Sequence, residues 1–213
     1  MKPSSSAELE ERAVAAVLGA LVGDAAAVPC HWHYAPHEQG AFSEEWINPF
    51  YRVALGANSC YGDQIRCVAA SMARWGEDLE DRLRDRFLAP DYAAAEPAKQ
   101  AYGYRGDQRA RSTPIDGPWR HRTVDRFLAG AIEDDDTSAD ALVRAIPAAA
   151  AAAIAGEPAA PIVDKVVVAT QRSVVAREHA RLIGTALSAV IRGMSPAQAL
   201  ENVGDLDADC AIN

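Results

Sequence analysis

Apolar residues recur along much of the chain at steps of three and four positions, the spacing that places them on one face of a helix. The clearest stripe begins after Ser173, stops at Gly193 and is formed by Ala176, Ala180, Ile183, Leu187, Val190 and Ile191. Near the start, Ser5 and Glu8 fit a capping box, and a second stripe follows at Leu9, Ala13, Ala16, Val17, Ala20 and Leu21. Both stretches are predicted to be helices.

Shorter stripes predict further helices between and after these two. Their apolar positions are Ile65, Val68, Ala69 and Met72; Leu79, Leu83 and Phe87; Val124, Phe127, Leu128 and Ala131; and Leu142, Val143, Ile146 and Ala150. Pro147 is expected to kink or interrupt the last of them, and Gly156 to close it. Pro161 suits a helix first residue, although Val166-Val167-Val168 fits a strand as well. Ser195-Pro196 predicts one more short helix to Asn202.

The composition favours helices that pack closely. Hydrophobic residues make up 49% of the 213 positions but aromatic residues only 7%, and much of the apolar fraction is alanine. Alanine is the strongest helix former, whereas sheets favour β-branched and aromatic residues. The sequence therefore predicts an all-α fold, organised as a single domain over residues 1–213.

Charge, hydropathy and cysteine content indicate which partners are excluded and in which compartment the protein resides. The net charge of −9 would repel a phosphate backbone, so no nucleic acid is expected. No apolar run approaches the ~20 residues that span a bilayer, so no membrane partner is expected either. The four cysteines show no Cys-x-x-Cys spacing and no secretory leader precedes them, which indicates free thiols and a cytoplasmic protein.

The most informative stretch is Asn58-Ser59-Cys60-Tyr61-Gly62-Asp63-Gln64, where polar turn formers precede an apolar helix pattern. The spacing predicts a helix that starts at Gln64, with Gly62 at positive φ and Asp63 as its N-cap. A helix start attracts phosphate, and loop carboxylates and hydroxyls attract Mg²⁺. Asp63 is therefore either a structural cap or part of a site.

Other acidic residues are candidates for the same site. Asp24 falls where the first helix ends, a place where its charge opposes the helix dipole and would favour a nearby cation. The run Glu133-Asp134-Asp135-Asp136 precedes a helix start that Thr137 and Asp140 could cap. Four consecutive acids are either fully solvated or gathered around something cationic.

Two loops contain weaker candidates. His31 and His33 could bind a metal, but the spacing shows no third ligand, and hydrogen-bonded core or rim histidines fit equally well. Arg105, Arg109 and Arg111 could meet an anionic ligand or form a solvated basic loop.

Several strings together resemble the ADP-ribosylglycohydrolase family, and within it the J1-crystallin-like branch. They are Gly19-Ala20-Leu21-Val22-Gly23-Asp24-Ala25, His31-Trp32, Pro49-Phe50-Tyr51, Asn58 to Gln64, Pro114-Ile115-Asp116-Gly117-Pro118-Trp119 and Ala139-Asp140-Ala141-Leu142-Val143-Arg144. The resemblance implies an all-α, multi-helix orthogonal bundle. It also implies hydrolysis of an ADP-ribose glycosidic bond with the help of two Mg²⁺ ions, which orient and activate water.

The chain departs from the family's metal-binding strings. Cys60, Tyr61 and Gly62 occupy the positions of a Thr-Asp-Asp string, and Asp63 is the nearby carboxylate. The second string, Asp-x-Asp-Ser/Thr, belongs after further helices, so the family's C-terminal helices are expected to be missing. Gly204-Asp205-Leu206-Asp207 imitates that string and is interpreted as an acidic tail.

These observations give two hypotheses. The first is an ADP-ribosylglycohydrolase-like protein with an incomplete dinuclear Mg²⁺ site, which binds small-molecule or protein-linked ADP-ribose and hydrolyses its glycosidic bond weakly or not at all. In it Asp63 is the candidate catalytic base and metal ligand, and the other candidate ligand-binding residues are Asp24, Asn58, Ser59, Tyr61, Gly62, Asp135, Asp136 and Asp140. The second hypothesis is a non-catalytic, crystallin-like structural or ligand-binding protein.

Overall fold

The computed structural model describes residues 5–30, 51–52, 54, 56–73, 79–89, 115–116 and 120–203. These residues form helices almost throughout, as the sequence predicted. The helices are α1 (Ser6–Ala27), α2 (Cys60–Met72), α3 (Leu79–Phe87), α4 (Arg122–Leu128), α5 (Asp140–Ala155), α6 (Ala159–Val168), α7 (Val174–Ile191) and α8 (Pro196–Asn202), with a 3-10 turn at Val28–Cys30. Two short strands, β1 (Tyr51–Arg52) and β2 (Ile115–Asp116), pair in parallel.

Helix α5 lies at the centre, where it packs against α1, α2, α6 and α7. Its buried face is almost entirely alanine, formed by Ala141, Ala145, Ala148, Ala149, Ala152 and Ala153. Because these side chains are single methyl groups, the neighbouring helices approach closely along the alanine positions. The same close approach occurs between α6 and α7, where a Cβ on Gly184 would lie 2.5 Å from Val163 Cγ2.

Helices α3 and α4 pack beside this centre through the stripe that the sequence predicted. Leu79, Leu83 and Phe87 are all buried, and the Phe87 ring meets Phe127 edge-on at a centroid distance of 6.0 Å. The Arg84 guanidinium lies 4.6 Å above the Phe127 ring and donates a hydrogen bond to Leu128 O at 3.0 Å. This contact joins α3 to the end of α4.

Most of the predicted helix ends are confirmed. Ser5 and Glu8 form the capping box of α1, and Ser173 accepts a hydrogen bond from Ala176 N at the start of α7. Gly156 closes α5 at φ 71° and Gly193 follows α7 at φ 103°, both in the left-handed region that favours glycine. Helix α8 has the predicted bounds, Pro196–Asn202.

The predicted start of α2 is wrong. The helix begins at Cys60, four residues before Gln64, and its N-cap is Ser59 rather than Asp63. Gly62 is therefore helical, not at positive φ, and Asp63 lies in the first turn. The first turn is not visible in the apolar pattern, because the residues that this turn buries lie against polar groups of α1 and α5.

Two smaller predictions are also wrong, and one of the two effects expected of Pro147 does not occur. Pro147 does not interrupt α5, whose flanking residues have high helix propensity and pack on four helices. Ala139 precedes α5 with no side-chain cap, so Thr137 does not cap it. Helix α6 begins at Ala159, two residues before Pro161, and contains the valine triplet that also fitted a strand.

Some predictions concern residues outside the described ranges. They are the histidine pair His31 and His33, the three arginines Arg105, Arg109 and Arg111, and the acidic stretch 204–209. In the ranges that are described, no helix combines the length and the apolar character needed to cross a membrane.

Candidate functional site

The first turn of α2 is tied to the end of α1 through the Asp24 carboxylate. Ser59 donates to it twice, from its backbone N–H to Oδ2 at 2.8 Å and from its hydroxyl to Oδ1 at 2.5 Å. The Asn58 amide donates to Oδ2 at 3.1 Å and to Leu21 O at 2.8 Å. Asp24 thus lies beside the positive N-terminus of α2, which stabilises a charge that the end of α1 disfavours.

Gly62 allows this arrangement because it has no side chain. A Cβ at this position would lie 2.3 Å from Asp24 Oδ2 and 2.7 Å from Asn58 Cβ, well inside van der Waals contact. The need for glycine at 62 is therefore close approach within a helix, not an unusual backbone angle.

A second polar cluster, fully buried, surrounds Asp140 in the first turn of α5. Asp140 Oδ1 accepts hydrogen bonds from Gln64 Nε2 at 2.6 Å and from the Thr123 hydroxyl at 2.9 Å. Arg144, one turn further along α5, lies 3.4 Å from the same oxygen. Its guanidinium also donates to Gln64 Oε1 at 2.8 Å, Thr123 Oγ1 at 2.6 Å, Gln171 Oε1 at 3.1 Å and the Thr170 hydroxyl. Four helices or helix ends are thereby joined through one buried arginine.

His121 completes the second cluster and connects it with α2. Its Nδ1 lies 2.9 Å from Asp140 Oδ2. Nδ1 also accepts from Thr123 N at 3.4 Å as the N-cap of α4, so a proton on Nδ1 would satisfy Asp140 Oδ2 and give up that cap. The His121 ring also faces the Tyr61 ring at a centroid distance of 5.8 Å. Tyr61 therefore stands between the Asp140 cluster and the α2 N-terminus.

Charges in the two clusters act on the titratable groups in opposite directions. Burial alone raises the pKa of Asp140, but His121, Arg144 and the Gln64 amide outweigh it and hold that pKa far below its usual range. The pKa of the Cys60 thiol is raised well above its usual value, first by complete burial and then by Asp140, Asp24 and Asp63. Asp140 is thus a permanent carboxylate at neutral pH, and Cys60 is a neutral thiol.

The acidic run before α5 is divided between solvent and protein. Asp134 and Asp135 are exposed, whereas Asp136 is turned inward and only 5% exposed. Asp136 lies 3.1 Å from Arg126 and 3.4 Å from Arg122, and it accepts from Ser138 N at 3.0 Å. Burial raises the pKa of Asp136, but the Ser138 hydrogen bonds and Arg122 lower it by more. Two arginines are thus the cations beside this run.

Asp63, the predicted catalytic and metal-binding residue, forms an ion pair within its own helix. Its carboxylate is 14% exposed and lies 3.3 Å from Arg66, one turn along α2. The structure therefore brings Asp24, Asn58, Ser59 and Gly62 into one cluster, places Tyr61 and Asp140 in or beside the second, and leaves Asp135 in solvent.

Residues that sequence reasoning missed hold the second cluster together, namely Gln64, His121, Thr123, Arg144 and Gln171. Two signals for them were present in the sequence. Asp140 and Arg144 stand four positions apart on one helix, the spacing of an ion pair. Gln64 directly precedes the apolar stripe of α2 and stands four positions before Val68, so a helix that includes it places it on the same face as that stripe.

The first turn of α2 contains one carboxylate, that of Asp63. Mg²⁺ binds oxygen ligands, above all carboxylates, with near-octahedral geometry. Cys60 offers a buried thiol, Gly62 offers no side chain, and both Asp24 oxygens already accept hydrogen bonds from Ser59 and Asn58. Throughout the described ranges, no group of three His, Cys, Asp or Glu side chains is arranged to hold a metal ion.

Comparison with known proteins gives one family and two relatives. The family model described as ADP-ribosylglycohydrolase matches residues 5–210. Crystallin J1A of Tripedalia cystophora is 31% identical over 133 residues, which cover 58% of this chain and 39% of that protein. Crystallin J1B of the same organism is 32% identical over the same coverage. The match thus spans about two fifths of each relative's length. No solved structure matches the chain.

Proposed function

Because the chain belongs to the ADP-ribosylglycohydrolase family, we propose that it recognises ADP-ribosyl groups through a site whose dinuclear magnesium centre is incomplete. Hydrolysis of ADP-ribose glycosidic bonds is then weak or absent. The observation that supports this most directly is the first turn of α2, where Cys60, Tyr61 and Gly62 leave Asp63 as the one carboxylate.

The surroundings of these residues argue against a second carboxylate ligand in this turn. Cys60 is fully buried and its pKa is raised by burial and by nearby acids, so it is a poor ligand for a hard cation. Position 62 cannot accept a larger side chain without displacing Asp24. Asp63 is paired with Arg66, a cation that competes with any bound metal.

Recognition of a ligand requires a complementary surface but not the metal ions or the base that catalysis needs. The Asp24 carboxylate and the Ser59 hydroxyl already occupy the positive end of the α2 dipole, so the surface left for a ligand lies beside this helix end. Tyr61 is only partly buried and is supported from behind by His121, so its ring offers a flat surface beside this dipole. Binding of an ADP-ribosyl group beside the α2 N-terminus therefore does not require the metal centre.

Residual hydrolysis, where it occurs, is assigned to Asp63. It is the partly exposed carboxylate of this turn and is able to accept a proton from water. Asp24 and Asp140 are held by several hydrogen bonds each, which commits their oxygens to structure.

Calorimetric titration with ADP-ribose, with and without Mg²⁺, combined with an assay for release of ADP-ribose from an ADP-ribosylated protein, tests the proposal. We expect binding that depends little on Mg²⁺ and slow or undetectable release. Rapid Mg²⁺-dependent release that Asp63→Asn abolishes would overturn the incomplete site. Asp135→Asn is the matched control, because Asp135 is an exposed aspartate whose charge is lost in the same way.

The alternative is a non-catalytic structural protein, and the names of the two crystallin relatives favour it. The same titration separates the two functions. Binding with slow hydrolysis supports the first proposal, and binding without any hydrolysis supports a non-catalytic ligand-binding protein. A folded protein that neither binds nor hydrolyses ADP-ribose supports a purely structural function.

We also propose a cytoplasmic location, on the ground that Cys60 is a free thiol buried inside α2. A reducing compartment keeps such thiols unpaired. The acidic net charge of −9 supports partners other than nucleic acid.

A further inference from the structure

A cavity of about 790 Å³ lies at the end of the helical bundle away from the Asp140 cluster. The start of α6, the second half of α7 and α8 form its walls, including Ala159, Ala160, Ser188, Arg192 and Glu201. Gln171, which contacts Arg144, immediately precedes α7, and Ser188 lies about 20 Å along that helix at 1.5 Å per residue. This cavity is therefore separate from the α2 site.

The packing of α6 against α7 places Ser188 beside the first turn of α6. The two helices are joined by the short segment 169–173 and touch where Gly184 meets Val163. Consecutive helices with so short a connection run antiparallel, so one turn further along α7 corresponds to one turn back along α6. That step leads from Gly184 to Ser188 and from Val163 to Ala159.

The Ser188 hydroxyl is buried without a hydrogen-bond partner. The residue is only 3% exposed, and in the described part of the chain no donor or acceptor reaches its Oγ. A serine inside a helix commonly donates to the carbonyl four residues earlier, and Ser71 of α2 does so to Cys67 O at 2.9 Å. Ser188, in the last turn of α7, lacks this bond, so its hydroxyl keeps an unused hydrogen-bonding capacity in the wall of the cavity.

The start of α6 adds backbone donors to the same place. Pro158 supplies no side-chain cap, and the N–H groups of Ala159 and Ala160 donate to no acceptor in the described ranges. Ala159 is only 6% exposed, so its N–H is largely removed from solvent. Unpaired N–H groups and the helix dipole together attract anions at such an end.

Arg192 brings a positive charge to the rim of the cavity. Its Nη2 donates to Ala152 O at 3.0 Å and to Glu157 O at 2.5 Å, which fixes the guanidinium at the end of α5. Glu201 also lines the cavity, so the net side-chain charge is small. The arrangement of donors, not an excess of positive charge, therefore distinguishes this place.

We propose that Ser188 and the N-terminus of α6 form a second binding site, which takes the oxyanion group of a small molecule. The Ser188 hydroxyl and the N–H groups of Ala159 and Ala160 donate to the oxyanion, and Arg192 contributes at longer range. A phosphate and a carboxylate share this chemistry. The site does not depend on the function proposed for the α2 region.

Titration of the ¹⁵N-labelled 213-residue chain with inorganic phosphate, followed by amide NMR, tests the site. We expect saturable shifts of the Ala159 and Ala160 amide signals with a dissociation constant in the millimolar range. Sodium acetate in a parallel titration distinguishes a carboxylate site from a phosphate site, and sodium chloride at matched ionic strength corrects for salt. Ser188→Ala is expected to weaken binding roughly tenfold, since it removes one hydrogen bond to a charged group.

Ser71→Ala is the matched control, because it deletes another buried helical hydroxyl whose bond is internal to α2. This variant should bind as tightly as the unmodified chain. Absence of saturable shifts with both phosphate and acetate would overturn the site. Equal weakening of binding in both variants would also overturn it. Unchanged affinity in Ser188→Ala would overturn it too, because it would mean that the cavity holds an adventitious ion only, or that a buried water meets the hydroxyl.

Discussion

Substitution of Gly62 by alanine should destabilise the protein, although the same change usually stabilises a helix. In an open helical position alanine is favoured over glycine by about 1 kcal/mol. At position 62 the new Cβ would lie 2.3 Å from Asp24 Oδ2 and 2.7 Å from Asn58 Cβ. Neither group can withdraw freely, because Ser59 and Asn58 hold the carboxylate by three hydrogen bonds.

The size of the effect follows from two opposing contributions. Overpacking of a tightly packed site costs about 1–3 kcal/mol, and weakening one or two hydrogen bonds to a charged group costs roughly 1.5–3 kcal/mol more. After subtraction of the gain in helix propensity, Gly62→Ala should lower the free energy of unfolding by about 2–4 kcal/mol. Urea unfolding followed by far-ultraviolet circular dichroism measures this change.

Gly19→Ala in α1 is the matched control, since a Cβ at Gly19 would meet nothing within 4 Å. It should raise the free energy of unfolding by about 0.5–1 kcal/mol. The explanation by close approach is refuted if Gly62→Ala is as stable as the unmodified chain. It is refuted too if Asp24→Ala, which removes the nearest atom, leaves the cost of Gly62→Ala unchanged.

Three further predictions concern the buried polar groups. Arg144→Met should lower the free energy of unfolding by about 3–5 kcal/mol, because it leaves Asp140 buried without its cation; Arg181→Met, at a partly exposed arginine 3.9 Å from Asp164, should change it by under about 1 kcal/mol. Because its folded pKa is depressed, Asp140 should stabilise the fold fully above its unfolded pKa of about 3.9 and lose that contribution as pH falls below it. In urea titrations from about pH 5 to pH 2, the free energy of unfolding should therefore fall less steeply with pH in Asp140→Asn. An equally steep fall in the variant would contradict this. Because burial and nearby acids raise its pKa, Cys60 should react with iodoacetamide much more slowly in the folded chain than in urea at mildly alkaline pH; peptide mass spectrometry measures the two rates, and equal rates would contradict the burial.

Periodicity identified the helices because each buries an apolar stripe, a property local to its own residues. The start of α2 was not predicted by periodicity, and the reason is physical. Cys60, Gly62 and Gln64 are buried against polar atoms of α1 and α5, so their burial does not show as an apolar pattern. The relevant partners are Asp24, 38 positions before Gly62, and Asp140, 76 positions after Gln64.

The candidate site was predictable in outline but not in its orientations. Asp24 and the Asn58–Gly62 stretch were named from residue type and motif, and the structure places them in contact. Residue type alone did not distinguish Asp135, which faces solvent, from Asp136, which faces Arg126. Only the path of the chain between α4 and α5 decides which of these neighbouring carboxylates turns inward.

The alanine face of α5 gives this protein an unusual sensitivity to substitution. A side chain that is already a single methyl can hardly be reduced, so the usual route to core damage, a cavity left by truncation, is almost closed along this helix. Enlargement is the remaining route, and one added branch would wedge apart several neighbouring helices at once, since α5 touches four of them. Random mutagenesis of the buried alanine positions of α5 should therefore return few tolerated changes, and those should be glycine, serine or cysteine rather than larger apolar residues.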